Sequence, residues 1–427
     1  MSAVFLLISL FVCLLIGVPV AVSLGLASIT TMLLFADQSL LSLAQRFFHT
    51  MQVYPLLAVP FFVLAGTFMT TGGVAKRMID FANALVGRFQ GGLAMAAVLA
   101  CAFFAAVSGS SPATVVAVGS VMVAGMVNSG YTKPFAAGVI CNAGTLGILI
   151  PPSIVMVVYG AVTESSIGHL FMAGVVPGIL LTLALMATIS VIARRQGMPR
   201  QPSVSWRVTL RAGREAIWGL FLVVIIMGGI YLGIFTPTEA AAVAAVYAIL
   251  ISVFYLRTLD LKALIPVFVS SVVQSGIVLL LVGASVSFAW IITVSGLANT
   301  VADGMASVSD NILVLLFLLN IFLLLIGMFL DAGPAVLVLG PVLGPMFIGL
   351  GIDPLHFAVV MCVNVTVGLA TPPMGLVLFV SAALSRERVE TIALHMLPFL
   401  LVEILVIFLI TYFPVLSLAL PRWLGFA

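Results

Sequence analysis

The sequence predicts an all-α integral membrane protein built from two inverted-topology repeats. Each repeat holds about five transmembrane helices and one re-entrant hairpin. Three observations carry this: the composition, the placement of basic residues between apolar stretches, and proline-bearing polar breaks that recur at a fixed interval.

Of the 427 residues, 63% are hydrophobic and 7% charged. Soluble domains carry roughly 25% charge, so this chain cannot clothe a water-exposed surface with polar groups. Apolar stretches near the roughly 20 residues needed to cross a bilayer give about ten spans, plus two shorter paired segments. The short alternating segments of an outer-membrane barrel are missing. A net charge of +3 without a basic stripe excludes nucleic acid as a partner. Cys13, Cys101, Cys141 and Cys362 sit in apolar segments without metal-ligand spacing and read as small hydrophobes. No positively charged leader or small-residue cleavage site precedes the first stretch, so residues 2–16 are expected to be a retained span.

The six arginines between Arg194 and Glu215 mark a cytoplasmic linker over 196–215 by the positive-inside rule. It divides a first repeat at 1–195 from a second at 216–427. Counting back, 170–193, 54–72 and 2–16 run inward, and 135–160 and 20–36 run outward. Counting forward, 216–233, 270–293 and 393–418 run outward, and 238–256 and 356–383 run inward. The paired segment 92–130 starts and ends inside, beside Arg88 and Lys133. Its counterpart 311–351 starts and ends outside, beside Asp303, Asp310 and Asp353. Both termini are then periplasmic. Residues 74–89 place Val74, Met78, Phe81, Ala82, Leu85 and Phe89 on one helical face, as expected of an interfacial amphipathic helix. Glu239 reads as a helix cap after Thr236, and Glu403 lies inside the last span with no assigned role.

The repeats are visible in the residues. Ser108-Gly-Ser-Ser-Pro112-Ala matches Leu330-Asp-Ala-Gly-Pro334-Ala, and Asn142 matches Asn364, both at an interval of 222 residues. Gly147-Ile-Leu-Ile-Pro151-Pro152 matches Gly368-Leu-Ala-Thr-Pro372-Pro373 at 221. Gly17 and Gly73 face Gly233 and Gly296. An odd number of spans per repeat turns the second copy over, the arrangement of secondary transporters.

Each copy breaks a helix twice, once at a hairpin tip and once within the broken helices 135–160 and 356–383. Proline removes a backbone donor and glycine loosens the chain. Such backbone is tolerated at membrane depth only where protein buries it or it lines a wet cavity. Amide oxygens, hydroxyls and freed carbonyls are hard ligands suited to a small alkali cation. One sodium site is expected per repeat: Ser108, Ser110, Asn142, Gly147 and Pro151 in the first, and Asp331, Gly333, Asn364, Gly368 and Thr371 in the second. A carboxylate substrate is expected between the tips, near Ser110, Ser111, Thr145, Pro152, Thr366 and Pro373. An acid within the membrane is functional by default; Asp331 gives its site a negative charge that the Ser110 side lacks. A lone Asn or Ser in a membrane helix more often serves as interhelical glue. It is the same order of hairpin, asparagine, glycine and double proline in both copies that favours ligation.

The segments Ser108–Thr114, Gly144–Ser153, Phe235–Ala242, Ala370–Gly375 and Pro55–Gly66 together resemble the large membrane (M, DctM-like) subunit of TRAP transporters, across nearly the whole chain. The resemblance implies an elevator-type transporter of the ion-transporter superfamily with scaffold and transport domains, in a bacterial inner membrane. It implies sodium (Na+) as the transported coupling ion, with no organic cofactor. It further implies a separate small four-helix membrane subunit (Q) and a periplasmic substrate-binding protein (P). The substrate would be a small carboxylate, such as a C4-dicarboxylate or sialic acid. Some relatives carry a hydroxyl two positions after the hairpin aspartate; here that position is Gly333, leaving a carbonyl alone.

Rival readings are a sodium/anion symporter working without a binding protein, a channel, and an intramembrane protease. The last lacks a base, since His49, His169, His356 and His395 all fall at span edges. If the topology is as read, labels placed at the two termini are expected to react from the periplasmic side. Reaction of both termini from the cytoplasmic side would overturn the topology.

Overall fold

The computed structural model describes residues 2–35, 39–202, 205–296, 309 and 311–425, all helix and connecting loop. Asp303 and Asp310, expected to flank the second hairpin, lie outside the described residues. Among the described residues, ten helices are long and apolar enough to cross a membrane. That number agrees with the sequence count, but its membership differs. It includes hairpin arms and omits the first two helices, which have 14 and 16 residues.

The first half comprises α1 (Ser2–Leu15), α2 (Val20–Phe35), α3 (Leu40–Met51), α4 (Ala58–Thr71) and α5 (Val74–Val86). The hairpin α6 (Gly92–Ser108) and α7 (Ser111–Asn128) follows, then the broken helix α8 (Lys133–Leu149) and α9 (Ile154–Val162), and α10 (Ile167–Gln196). The second half comprises α11 (Trp206–Tyr231), α12 (Pro237–Leu250) with a π-helical turn at Ile251–Tyr255, and α13 (Leu261–Val294). The hairpin α14 (Ile312–Phe329) and α15 (Ala332–Gly349), the broken helix α16 (Pro354–Gly368) and α17 (Leu376–Ser385), then α18 (Val389–Tyr412) and α19 (Val415–Trp423) complete it. α6 and α7 lie within 92–130, α8 begins at Lys133 and α9 ends at Val162, α14 and α15 lie within 311–351, and α16 begins at Pro354 and α17 ends at Ser385. Gly73 and Gly296, matched in sequence, both adopt left-handed backbone, with φ of 74° and 71°. This conformation favours glycine and ends α4 and α13 alike.

Three expectations change. The arginine-rich linker is shorter than 196–215: α10 carries Arg194 and Arg195, and α11 begins at Trp206, so Arg207, Arg211 and Arg214 ride on its first turns. Straight-chain arginines favour helix, and Arg211 pairs with Glu215 one turn on, at 3.3 Å. The stretch 40–51, to which the sequence reading assigns no element, forms an amphipathic helix. The last stretch is two helices, divided at Pro414. Glu239 does cap: Thr236 Oγ1 accepts from the Glu239 N–H, while Glu239 Oε2 accepts from the Thr236 N–H at 2.8 Å.

Burial sorts the helices. α6 is enclosed on almost every side, as expected of a helix apolar all round within a large protein. α1, α11, α13 and α18 expose large apolar side chains such as Leu15, Phe221, Ile265 and Leu405, the side chains that a lipid solvent would cover. One large core joins α4 to α18, and a smaller one links α1, α2 and α3 to α13. α14 meets α16 through glycines: a Cβ on Gly327 would lie 2.7 Å from Val365 O and 2.9 Å from Gly368 Cα. Gly327→Ala is therefore expected to cost about 1–3 kcal/mol through overpacking, read as a lower Tm in detergent. Gly125→Ala, whose Cβ would meet open space, should leave Tm unchanged or raise it.

Candidate functional site

In the first repeat, α6 ends at Ser108, Gly109 turns left-handed, and Pro112 starts α7 in its first turn. Thr114 holds the turn closed: its hydroxyl donates to Ser110 O at 2.8 Å and lies 2.9 Å from Ser108 Oγ. This tip is seated on the break between α8 and α9. The Ile154 N–H donates to Gly109 O at 3.2 Å. Gly147 lies so near that a Cβ there would come within 2.5 Å of Ser110 O. The Ser111 hydroxyl is 3.5 Å from Thr145 O. Ser108, Ser110, Ser111, Gly147, Pro151 and Pro152 thus share one buried cluster, Ser110 being half-buried at its edge. Asn142 lies more than a turn before Gly147. Its Nδ2 donates to Gly138 O at 2.8 Å, which fixes the amide and leaves Oδ1 buried without a partner.

The second repeat repeats the asparagine. Asn364 Nδ2 donates to Val360 O at 2.8 Å and to Asn320 Oδ1 at 2.7 Å, and again Oδ1 is buried and unpartnered. The Thr366 hydroxyl is buried without a partner as well. Asp331 caps α15, its Oδ1 accepting from the Ala332 N–H at 2.7 Å. The hairpin sits differently, however. It meets the broken helix one turn before its tip, at Gly327 against Gly368. Thr371 is half-buried and donates to Val367 O at 2.8 Å, while Pro373 and Met374 stand exposed. The first break is buried and the second is open.

The two tips meet at one cavity of about 110 Å³, lined by Gly109, Ser110 and Pro112 from one hairpin and Asp331, Gly333 and Leu337 from the other. α9 and α13 close it with apolar residues. Of the residues expected to hold substrate, Ser110 lines this space. Ser111, Thr145 and Thr366 are buried outside the lining, Pro152 lies beneath Gly109, and Pro373 faces outward. The cavity wall contains no lysine, arginine or histidine. The start of α7 carries no side-chain cap, so its amides remain available to an anion, whereas Asp331 already occupies the start of α15.

Asn320 was missed in the sequence, although it is the lone strongly polar residue of an otherwise apolar 18-residue helix. It accepts from Asn364 and from the Thr411 hydroxyl of α18 at 3.0 Å. Glu403, also on α18, is fully buried, with Oε1 lying 2.9 Å from the Thr145 hydroxyl. Neither was readable as a site residue, because no local motif ties α18 to the broken helices.

Residues 7–416 match the family model described as the tripartite ATP-independent periplasmic transporter, DctM component. The chain is 50% identical over 403 residues, 94% of each chain, to the C4-dicarboxylate TRAP transporter large permease protein DctM of Pseudomonas aeruginosa. It is 38% identical to the isethionate TRAP transporter permease protein DctMQ of Oleidesulfovibrio alaskensis, covering 94% of this chain and 63% of that longer one. Among solved structures, the YdaH transporter of Alcanivorax borkumensis shares the fold, with a TM-score of 0.55 at 18% identity over 90% of this chain and 89% of the other.

Proposed function

The chain belongs to the DctM component family of tripartite ATP-independent periplasmic transporters, a transport protein and not an enzyme, and we propose that it moves a C4-dicarboxylate inward with sodium. The relatives named for C4-dicarboxylates, at 44–50% identity, support that substrate class over sialic acid, whose named relative in Vibrio cholerae is 36% identical.

The observation that carries sodium coupling is the matched pair of stranded amide oxygens, Asn142 Oδ1 and Asn364 Oδ1. A buried acceptor without a donor costs about 1–3 kcal/mol. Two such atoms at equivalent positions, each with its amide held the same way round, call for a ligand that satisfies oxygen. A small alkali cation does so. The first site would draw on Ser108, Ser110, Asn142, Gly147 and Pro151, and the second on Asp331, Gly333, Asn364, Gly368 and Thr371.

Charge orders the binding events. Asp331 borders the cavity where the anion would lie, and no basic side chain offsets it. A dicarboxylate entering first would meet a like charge; a cation bound first removes that repulsion and leaves the start of α7 to attract the anion. Ions that favour the substrate-competent state couple their gradient to uptake. The unlike seating of the two hairpins suits one member of a pair of states, each open to one side, between which an elevator-type transport domain would move. In this reading the termini are periplasmic in a bacterial inner membrane. A four-helix Q subunit and a periplasmic P protein complete the transporter; the name of one longer relative joins M and Q.

Reconstitution with both partners, and uptake of a carboxylate panel with and without a sodium gradient, tests this. C4-dicarboxylate uptake is expected to need the gradient and the binding protein. Asn142→Ala and Asp331→Asn should each raise the sodium concentration for half-maximal uptake by about tenfold or more, a loss of roughly 1.4 kcal/mol, with normal insertion. Sodium curves like the wild type in both variants would remove the assigned ion sites.

A further inference from the structure

Glu403 is an acid fully buried in α18, at the level of the first broken helix. The register is fixed by close packing. Gly138 of α8 lets Met396 approach so that a Cβ on Gly138 would lie 3.3 Å from Met396 Cβ. Seven residues further along both helices, Thr145 meets Glu403. Ion pairs among the described residues are Lys133–Glu387 and Arg211–Glu215, so no basic side chain reaches Glu403. The ionisable group of α8 beside it is the Cys141 thiol. α10, α14, α16 and α17, also packed around α18, bring no charged side chain to this level. Their ionisable residues are His169, Arg194 and Arg195 at the ends of α10, and Cys362 and His356 on α16, the last engaged by Ser417 and Thr411.

Thr145 has two acceptors within reach and one hydrogen, so it donates either to Asn142 O or to Glu403 Oε1. The Thr145 hydroxyl lies 2.6 Å from Asn142 O and 2.9 Å from Glu403 Oε1. It has one hydrogen, and the carbonyl has none to give. With Thr145 donating to Asn142 O, the shorter contact, the contact to Glu403 needs a hydrogen from the carboxyl itself. Glu403 Oε2 is then the carbonyl oxygen, and it has no partner. Three residues before Thr145 sits the stranded Oδ1 of Asn142.

The geometry points to Glu403 as the exchangeable counter-charge of the first cation site, protonated while that site is empty and ionised while it is filled. This rests on the sodium reading above and supplies the negative charge that the Ser110 hairpin lacks. When a cation reaches Asn142 Oδ1, the Glu403 carboxyl releases its proton to water. The Thr145 hydroxyl turns to the resulting carboxylate, and Asn142 O is freed toward the cation. One positive charge enters and one leaves, so the buried charge stays balanced, as a low-dielectric interior demands. Glu403 acts through Thr145 and is a positioning residue. Sodium binding at this site is thereby linked to pH.

Isothermal titration of the purified full-length protein with sodium chloride, in two buffers of different ionisation heat, counts protons released; choline chloride is the control. The wild type is expected to release up to one proton per cation at this site. Its sodium affinity should weaken by as much as about tenfold per pH unit on acidification. Glu403→Gln, which keeps shape and a donor to Thr145, should release no proton from this site and lose the pH dependence. A wild type that binds sodium without releasing protons overturns the proposal with no variant required. So does a folded Glu403→Gln that keeps the wild-type pH dependence. A wild type that binds no sodium at all removes the sodium reading itself, and this proposal with it.

Discussion

Everything in this fold answers to one constraint: a polar atom placed in lipid must find its partner within the protein. Helices solve this for the backbone, since each N–H and C=O bonds inside its own segment. The two hairpin tips and two broken helices abandon that solution at four places, and the surrounding architecture compensates. Thr114 gathers the oxygens of the first tip, the Ile154 N–H takes up the carbonyl of Gly109, and Asp331 caps the start of α15. α6 and α8, which carry broken ends, are wrapped in protein on nearly every side. Helices with unbroken backbone, such as α11 and α13, can afford to face outward.

Compensation is incomplete. Buried polar atoms of Thr31, Asn83, Tyr131, Ser285 and Asn320 lack a partner, and so do the matched amide oxygens of Asn142 and Asn364, the Thr366 hydroxyl and one oxygen of Glu403. The last four lie on the broken helices and on α18, which braces both. α18 reaches α8 through Glu403 and α16 through Thr411 and Asn320, so one helix supports both proposed ion sites from behind. The two braces differ in chemistry: an acid behind the first asparagine, a neutral amide behind the second. The second site has its acid at the hairpin instead, in Asp331. Both carboxyl groups come from the second repeat: Glu403 reaches the first broken helix at Thr145, and Asp331 caps α15 at its own hairpin tip.

The sequence disclosed what is local or periodic. Hairpins, broken helices, the amphipathic helix read at 74–89 and the Thr236–Glu239 cap all follow from glycine, proline and apolar spacing that need no tertiary information. The interval of 222 residues made Asn142 and Asn364 stand out before any coordinates were in hand. Contacts between distant helices were not legible. Nothing near residue 403 says that it faces Thr145, because that neighbourhood depends on Gly138 admitting Met396. Asn320 sits in a helix whose apolar run hides it. The amphipathic helix 40–51 escaped because a count of spans asks only for length and hydropathy. The arginines on α11 were read as loop because charge placed them correctly in sidedness and says nothing of backbone conformation.

The seating of the hairpins shows how matched motifs become structurally unequal. The first tip rests on its own double proline; the second stops one turn short, held at Gly327 and Gly368, and leaves Pro373 outside. Equal repeats in equal positions would give a symmetric structure closed, or open, on both sides at once. A device that must open to one side at a time needs the two copies to hold different positions and to be able to exchange them. Glycine-to-glycine contact permits that, since backbone sliding on backbone displaces no side chain. The same closeness makes both positions intolerant of any larger residue.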